Sequence, residues 1–115
     1  MENIKIFTEG ITRSDLESLA QVRFGDMVKG VIDIRSGVVA LGGELHADEE
    51  SLLIQNGSSQ EDLWGINIYL EGQFPETIEF DSMINIRPSQ GNRSRGVEDI
   101  QVQKKILAYL EKKIV

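Results

Sequence analysis

The sequence predicts an α+β fold, in which about three helices pack on one mostly antiparallel sheet. Three observations support this prediction. A compact turn at residues 35–37 joins two β-rich segments, a capping signal at Thr12 opens an amphipathic helix, and apolar residues at helical spacing mark the last element. Because 115 residues is near the usual size of one domain, we expect a single domain over residues 1–115.

The predicted elements follow in the order β-α-β-β-α-β-β-α. Residues 3–8 suit a short opening strand. Thr12 is the expected N-cap of the first helix, and Asp15 at the third helical position completes a capping box. Gly25 then ends this helix.

A β-hairpin and a short helix occupy the middle of the chain. The hairpin consists of residues 27–34 and 38–41, joined by the turn. The second helix is expected to begin at Ala47 or Asp48 and to end at residues 56–57, where Asn is followed by Gly.

Two strands and a helix complete the prediction. Residues 63–70 form one strand, and residues 77–86 form the other, because polar and apolar side chains alternate most clearly there. The last helix runs from about 98 to 114. Its buried stripe consists of Val102, Ile106, Leu110 and Ile114.

The composition excludes several classes of site. Without cysteine there are no disulfides, thiolate zinc sites or cysteine nucleophiles. The N-terminus lacks the basic and apolar regions of a signal peptide, and no apolar run approaches the roughly 20 residues that span a bilayer. We therefore expect a cytoplasmic protein with no membrane segment. The net charge of −7 disfavours non-specific binding to nucleic acid.

The arginine loop, residues 87–96, contrasts with this acidic background. It carries +3, so the other residues together carry −10. Forked guanidinium groups, small polar donors and the helix start that follows are suited to a phosphate or a carboxylate. We therefore predict a small anionic ligand here. The predicted ligand-binding residues are Arg87, Ser89, Asn92, Arg93, Ser94 and Arg95.

Two alternatives for the arginine loop stay open. The arginines could pair with the protein's own carboxylates, since Glu98 and Asp99 already occupy the start of the last helix. The loop could also dock on an acidic surface of another protein or of a second copy. In that case the chain is a non-catalytic interaction module or a homo-oligomer.

A second constellation surrounds the only histidine. Glu44, His46 and Asp48 alternate, so on an extended segment they would share a face and offer ligands to a divalent metal. Glu79 and Asp81 are spaced in the same way on the predicted strand. If these faces met, His46, Glu79 and Asp81 would be the candidate catalytic residues of an acid–base site or a metal-dependent hydrolase.

Nearby acids would favour the protonated form of the histidine. The competing interpretation of the segment is a solvated, negatively charged first turn of a helix. The sequence specifies neither a cofactor nor whether the protein is an enzyme.

Four segments resemble a family of short, uncharacterised bacterial and archaeal proteins that share a domain of unknown function. They are GDMVK at 25–29, GGELHADEE at 42–50, QEDLWGIN at 60–67 and EFDSMINIRPSQGNRSRG at 79–96. The resemblance spans nearly the full chain. It implies a free-standing prokaryotic domain and brings with it no activity, substrate or catalytic residue.

Overall fold

The computed structural model describes residues 3–115, which form five strands and three α-helices. In chain order these are β1 (Lys5–Phe7), α1 (Arg13–Val22), β2 (Met27–Asp33), β3 (Val39–Leu41), α2 (His46–Gln55), β4 (Leu63–Tyr69), β5 (Ile78–Glu79) and α3 (Ile100–Lys113). The predicted α+β class and the order of elements are confirmed. None of the helices within residues 3–115 has the length and apolar character needed to cross a membrane.

The five strands form one sheet in the order β1-β3-β2-β4-β5, and every neighbouring pair is antiparallel. The predicted hairpin is the β2–β3 pair. Its turn is closed by Asp33, whose carboxylate accepts hydrogen bonds from the backbone N–H groups of Arg35 and Ser36. The longest ladder joins β2 to β4 over the full length of both strands.

Successive strand residues point to opposite faces of the sheet, and each face carries apolar residues on which helices pack. On the first face, Val28 and Ile32 of β2 pack with Leu19 of α1 and Ile106 of α3. On the second face, the apolar residues belong to a smaller cluster. They are Val31, Ala40, Leu53 and Leu63. The helix on this second face, α2, covers only part of the sheet.

The predicted helix signals are confirmed at atomic detail. The Thr12 hydroxyl accepts from the Asp15 N–H, and the Asp15 carboxylate accepts from the Thr12 N–H, so the capping box is complete. The last helix begins two residues later than predicted, because Asp99 is its N-cap and accepts from the Gln101 N–H. In the predicted stripe of this helix, Ile106 and Leu110 are fully buried.

The strand predicted over residues 77–86 is wrong over most of its length. Strand β5 covers only Ile78–Glu79, and a short 3-10 helix forms at Met83–Asn85. The alternation is misleading here, because the chain leaves the sheet edge and crosses onto the second face. Ile78 therefore packs in the first core, whereas Ile84 packs against the second.

The Asn85 side chain replaces the missing strand pairing. Its amide oxygen accepts from the Gly65 N–H at 2.8 Å, and its amide nitrogen donates to the Gly65 carbonyl at 3.0 Å. The Asn85 side chain thus bonds to β4 as the backbone of a neighbouring strand would. The buried N–H and C=O groups of Gly65 are therefore satisfied although β5 does not extend this far.

Gly65 is required because Ser82 occupies the space that a side chain would need. A Cβ at this position would lie 2.5 Å from the Ser82 Cβ. We expect Gly65→Ala to lower the free energy of unfolding by about 2 kcal/mol or more, because the buried neighbours must move. Urea unfolding checks this. Gly96→Ala is the control, because its nearest neighbour would be 3.5 Å away, and equal midpoints for the two variants would contradict the packing argument.

Candidate functional site

A pocket of about 400 Å³ opens on the second face of the sheet, beside α2. Residues of β2, β4 and β5 form its floor, the first turn of α2 forms one wall, and Arg95 of the arginine loop reaches it from another side. Its size is within the range of small-molecule sites. The structure therefore brings His46, Glu79, Asp81 and Arg95, which the sequence singled out separately, into one pocket.

A row of polar side chains crosses the floor of the pocket. Lys29 of β2 pairs in register with Asn67 of β4, and Asn67 pairs with Glu79 of β5. Partners in register project from the same face of a sheet, about 5 Å apart. The floor thus presents a cation, an amide and a carboxylate in that order.

The acidic end of this row is held in place by two neighbours. Glu79 Oε1 accepts from Asn67 Nδ2 at 2.9 Å and from the Tyr69 hydroxyl at 3.2 Å. Burial and this hydrogen bond to Glu79 raise the pKa of Tyr69 above its ordinary value, so the phenol stays a donor. Both contacts use one oxygen of the carboxylate, and Glu79 Oε2 makes no hydrogen bond within residues 3–115.

The basic end of the row is less constrained. The Lys29 ammonium lies 5.3 Å from the centroid of the Phe24 ring. It forms no ion pair with a carboxylate in the part of the chain that the structure describes. A half-buried ammonium without a carboxylate partner can accept an anionic ligand at little cost.

The first turn of α2 presents its N-terminal backbone to the same wall, and its acidic residues, Asp48 and Glu49, lie outside the pocket lining. Leu45, His46 and Ala47 line the pocket, and the N-cap Leu45 provides no side-chain hydrogen bond to the turn. The first N–H groups of an α-helix have no partner within the helix and attract anions. This helix is ten residues long, so the effect is that of a regular helix.

His46 is buried at the start of α2 and its imidazole is fixed in orientation. Nε2 lies 2.8 Å from the Ile66 carbonyl, so this nitrogen carries the proton of the neutral ring. Burial lowers the pKa of His46 below its ordinary value and outweighs the hydrogen bond to the Ile66 carbonyl, which raises it. Asp81 does favour the protonated form, as expected of a nearby acid, but burial outweighs this effect.

The alternating metal triad is not assembled. Helix α2 begins at His46, so the segment is not extended, and the exposed Glu44 lies 3.5 Å from Arg23. Asp48 lies in the first turn of the helix, as the competing interpretation proposed. Among residues 3–115, no three His, Asp or Glu side chains are grouped to hold a metal ion.

Members of the arginine loop differ in their surroundings. Arg95 Nε donates to Asp81 Oδ1 at 2.6 Å at the rim of the pocket, and its terminal nitrogens make no other ion pair within residues 3–115. Ser89 and Arg93 are exposed. The docking alternative would use exposed residues of this kind. Where the partner is a second copy, light scattering across a salt series tests that alternative.

Arg87, in contrast, is a core residue. Its side chain is 9% exposed, stacks on the Trp64 ring with 4.8 Å to the centroid, and lies 3.6 Å from the Glu50 carboxylate. It also donates to the carbonyls of Ile84 and Leu63. These contacts use the guanidinium within the protein.

Asn92 is also buried, and it organises the loop. Its amide nitrogen donates to the carbonyls of Asn85, Ser94 and Gly96, and its oxygen accepts from the Glu98 N–H. All polar atoms of this side chain therefore contact the backbone of the protein. The loop is preshaped by these bonds, which fixes the position from which Arg95 extends.

The anion nest of the loop is occupied by the protein's own carboxylate. Glu98 Oε2 accepts from the N–H groups of Arg93 and Ser94 at 2.9 and 2.8 Å. The Ser94 side chain and the Arg93 N–H are the leading causes that lower the pKa of Glu98. An external anion at this position would have to displace Glu98, which accepts here from backbone N–H groups and not from the arginine side chains that the first alternative invoked.

This arrangement predicts a pH-dependent contribution of Glu98 to stability. Because its pKa is lower in the folded protein, the stabilisation is present above the unfolded value near 4.5 and is lost as the pH falls through the folded value. We expect Glu98→Gln to melt below the wild type at neutral pH, and the difference to shrink under acid conditions. A difference in melting temperature that is independent of pH would contradict the assignment.

Lys29, Asn67 and Tyr69 could not be identified from the sequence as neighbours in one pocket. The available signal was a polar side chain at alternate positions of strands that are otherwise apolar. Lys29 is the only charged residue between Met27 and Ile32, and Asn67 and Tyr69 are spaced by two in β4. The pairing of these strands, which places the three side chains on one floor, is visible only in the structure.

Comparisons with known proteins place the chain in a family. Residues 5–113 match a family model described as a protein of unknown function (DUF5674). No curated protein and no solved structure matches the chain. The match covers nearly all of the sequence, in agreement with the resemblance of the four segments. The chain therefore belongs to the DUF5674 family of proteins of unknown function.

Proposed function

We propose that this protein binds a small anionic ligand in the pocket beside α2. The observation that carries the proposal is that the uncapped first turn of α2 and the Lys29 ammonium line the same pocket. Each favours a negative charge by a separate mechanism, one through oriented N–H groups and the other through a full positive charge.

Arg95 links this proposal to the arginine loop. The Nε–H group of Arg95 donates to Asp81, and its two terminal nitrogens can donate to a ligand group at the rim of the pocket. We propose that the contribution of the loop to binding is Arg95 alone, supported by the internal contacts of Arg87 and Asn92. The ligand is thus located in the pocket and not within the loop.

NMR titration tests the proposal at residue level, because a chain of this size gives assignable amide spectra. The probes are inorganic phosphate, acetate, ribose 5-phosphate and AMP. At least one of them is expected to shift the amides of Lys29, His46 and Ala47 in a saturable way. Absence of saturable shifts at the pocket with all four probes would contradict the proposal.

A pair of lysine variants separates local binding from net charge. Lys29→Gln is expected to weaken binding of the responding probe by about ten-fold, the value of one charge-assisted hydrogen bond. Lys104→Gln makes the same charge change on an exposed face of α3 and should leave the affinity unchanged. Equal affinities for both variants would show that Lys29 does not contact the ligand.

A further inference from the structure

The two ends of the pocket floor have opposite charge, which narrows the class of ligand. The anion-attracting side consists of Lys29 and the first turn of α2. Across Asn67, Glu79 presents a carboxylate of which one oxygen is used by the protein. Asp81 is already paired with Arg95, so Glu79 is the acid that is open to a cationic partner.

We infer that the ligand is a zwitterionic amino carboxylate, an inference that rests on the proposed function. Its carboxylate would bind at Lys29 and the N-terminus of α2, and its ammonium group would donate to Glu79 Oε2. Lys29 and Glu79 are each one strand away from Asn67, so their Cβ atoms are about 10 Å apart. Both side chains line the same pocket, and the Lys29 ammonium forms no ion pair with Glu79.

The hydrogen bonds within the pocket floor are consistent with Lys29 binding the ligand carboxylate and Glu79 binding its ammonium group. Asn67 Nδ2 donates to Glu79 Oε1 and to the Asp81 carbonyl, which fixes the orientation of the amide and of the carboxylate. The Tyr69 hydroxyl also donates to Glu79 Oε1. A carboxylate that is positioned by donors on one oxygen directs the other oxygen to the ligand without further ordering.

Apolar side chains at the mouth of the pocket suggest which amino carboxylates fit. Leu45 and Met83 line the pocket and are 54% and 65% exposed. A ligand whose charged end lies on the floor would place its side chain against them. Burial of that contact favours an aliphatic or thioether side chain.

Matched ligand pairs test the inference by calorimetry on the whole protein. L-leucine is compared with 4-methylpentanoate, and L-methionine with 4-(methylthio)butanoate, so that each pair differs only in the ammonium group. We expect at least one amino acid to bind about ten-fold more tightly than its desamino partner. Equal affinities within both pairs would overturn the inference and leave the proposed anion site intact.

Glu79→Gln keeps an acceptor for Tyr69 and Asn67 while removing the charge. This variant is expected to lose the preference, so that the amino acid and its desamino partner bind with similar affinities. Glu111→Gln, on exposed α3 surface, is the matched control and should retain the preference. If neither pair binds although phosphate or acetate does, the inference fails alone; if no anion binds at all, the proposed function fails with it.

Discussion

Arg87→Met is expected to lower the free energy of unfolding by about 3–5 kcal/mol, the usual cost of breaking a buried ion pair from one side. The variant keeps most of the side-chain volume but leaves the Glu50 carboxylate, 13% exposed, without its cation. It also leaves the carbonyls of Ile84 and Leu63 without their donor and removes the stacking on Trp64. Urea unfolding followed by tryptophan fluorescence measures the change.

A double variant distinguishes the charge pair from packing. Arg87→Met combined with Glu50→Gln removes both charges, so we expect it to be more stable than Arg87→Met alone. The same loss of stability in the single and the double variant would mean that the ion pair contributes nothing beyond the volume of the arginine.

Asn85→Leu is the second substitution with a large expected effect. It preserves approximate size but removes the bonds to both backbone groups of Gly65 and to the Arg95 carbonyl at 2.9 Å. Each buried polar group left without a partner costs about 1–3 kcal/mol, so we expect a loss of about 3 kcal/mol or more. Chemical denaturation at equilibrium measures this loss.

Asn56→Ala is the control for the Asn85 substitution. Asn56 also donates to a backbone carbonyl, that of Leu52, but at the exposed end of α2. Because water can replace this bond, we expect a change below about 1 kcal/mol. Comparable losses for the two asparagine variants would show that the Asn85 side chain does not substitute for strand pairing.

The sequence predicted well where the deciding interactions are local. Thr12 and Asp15 are three residues apart and form the capping box, and the stripe of α3 recurs at helical spacing. The turn between β2 and β3 was predictable because Asp33 closes it through its near neighbours. In each case the residues that form the element also lie within one window of sequence.

Residues 77–86 show why the rest could not be predicted. Their alternation is typical of a strand, but Asn85 bonds to Gly65, 20 positions earlier, and Ser82 occupies the space above that glycine. These contacts move the chain from the edge of the sheet to its face. Long-range contacts of this kind override local periodicity, because they satisfy buried backbone groups that the strand would otherwise pair.

The candidate site could be predicted only in part, because it too depends on contacts between residues that are distant in sequence. The interest in His46, Glu79 and Asp81 came from residue type, and the structure brings all three to one pocket. The protonation of His46 depends on burial and on the Ile66 carbonyl, which no spacing reveals. The arginine loop appeared uniform in sequence, yet Arg87 is in the core, Arg95 is at the pocket and Arg93 is on the surface.

This last difference allows the most direct test of the central claim, that the ligand binds in the pocket and the arginine loop contributes through Arg95. Arg95→Gln and Arg93→Gln remove the same charge from the same loop, two positions apart. In a calorimetric titration with whichever anionic probe shifts the pocket amides, we predict that Arg95→Gln binds several-fold more weakly and that Arg93→Gln binds as the wild type does. An equal loss in both variants, or a loss confined to Arg93→Gln, would contradict the account.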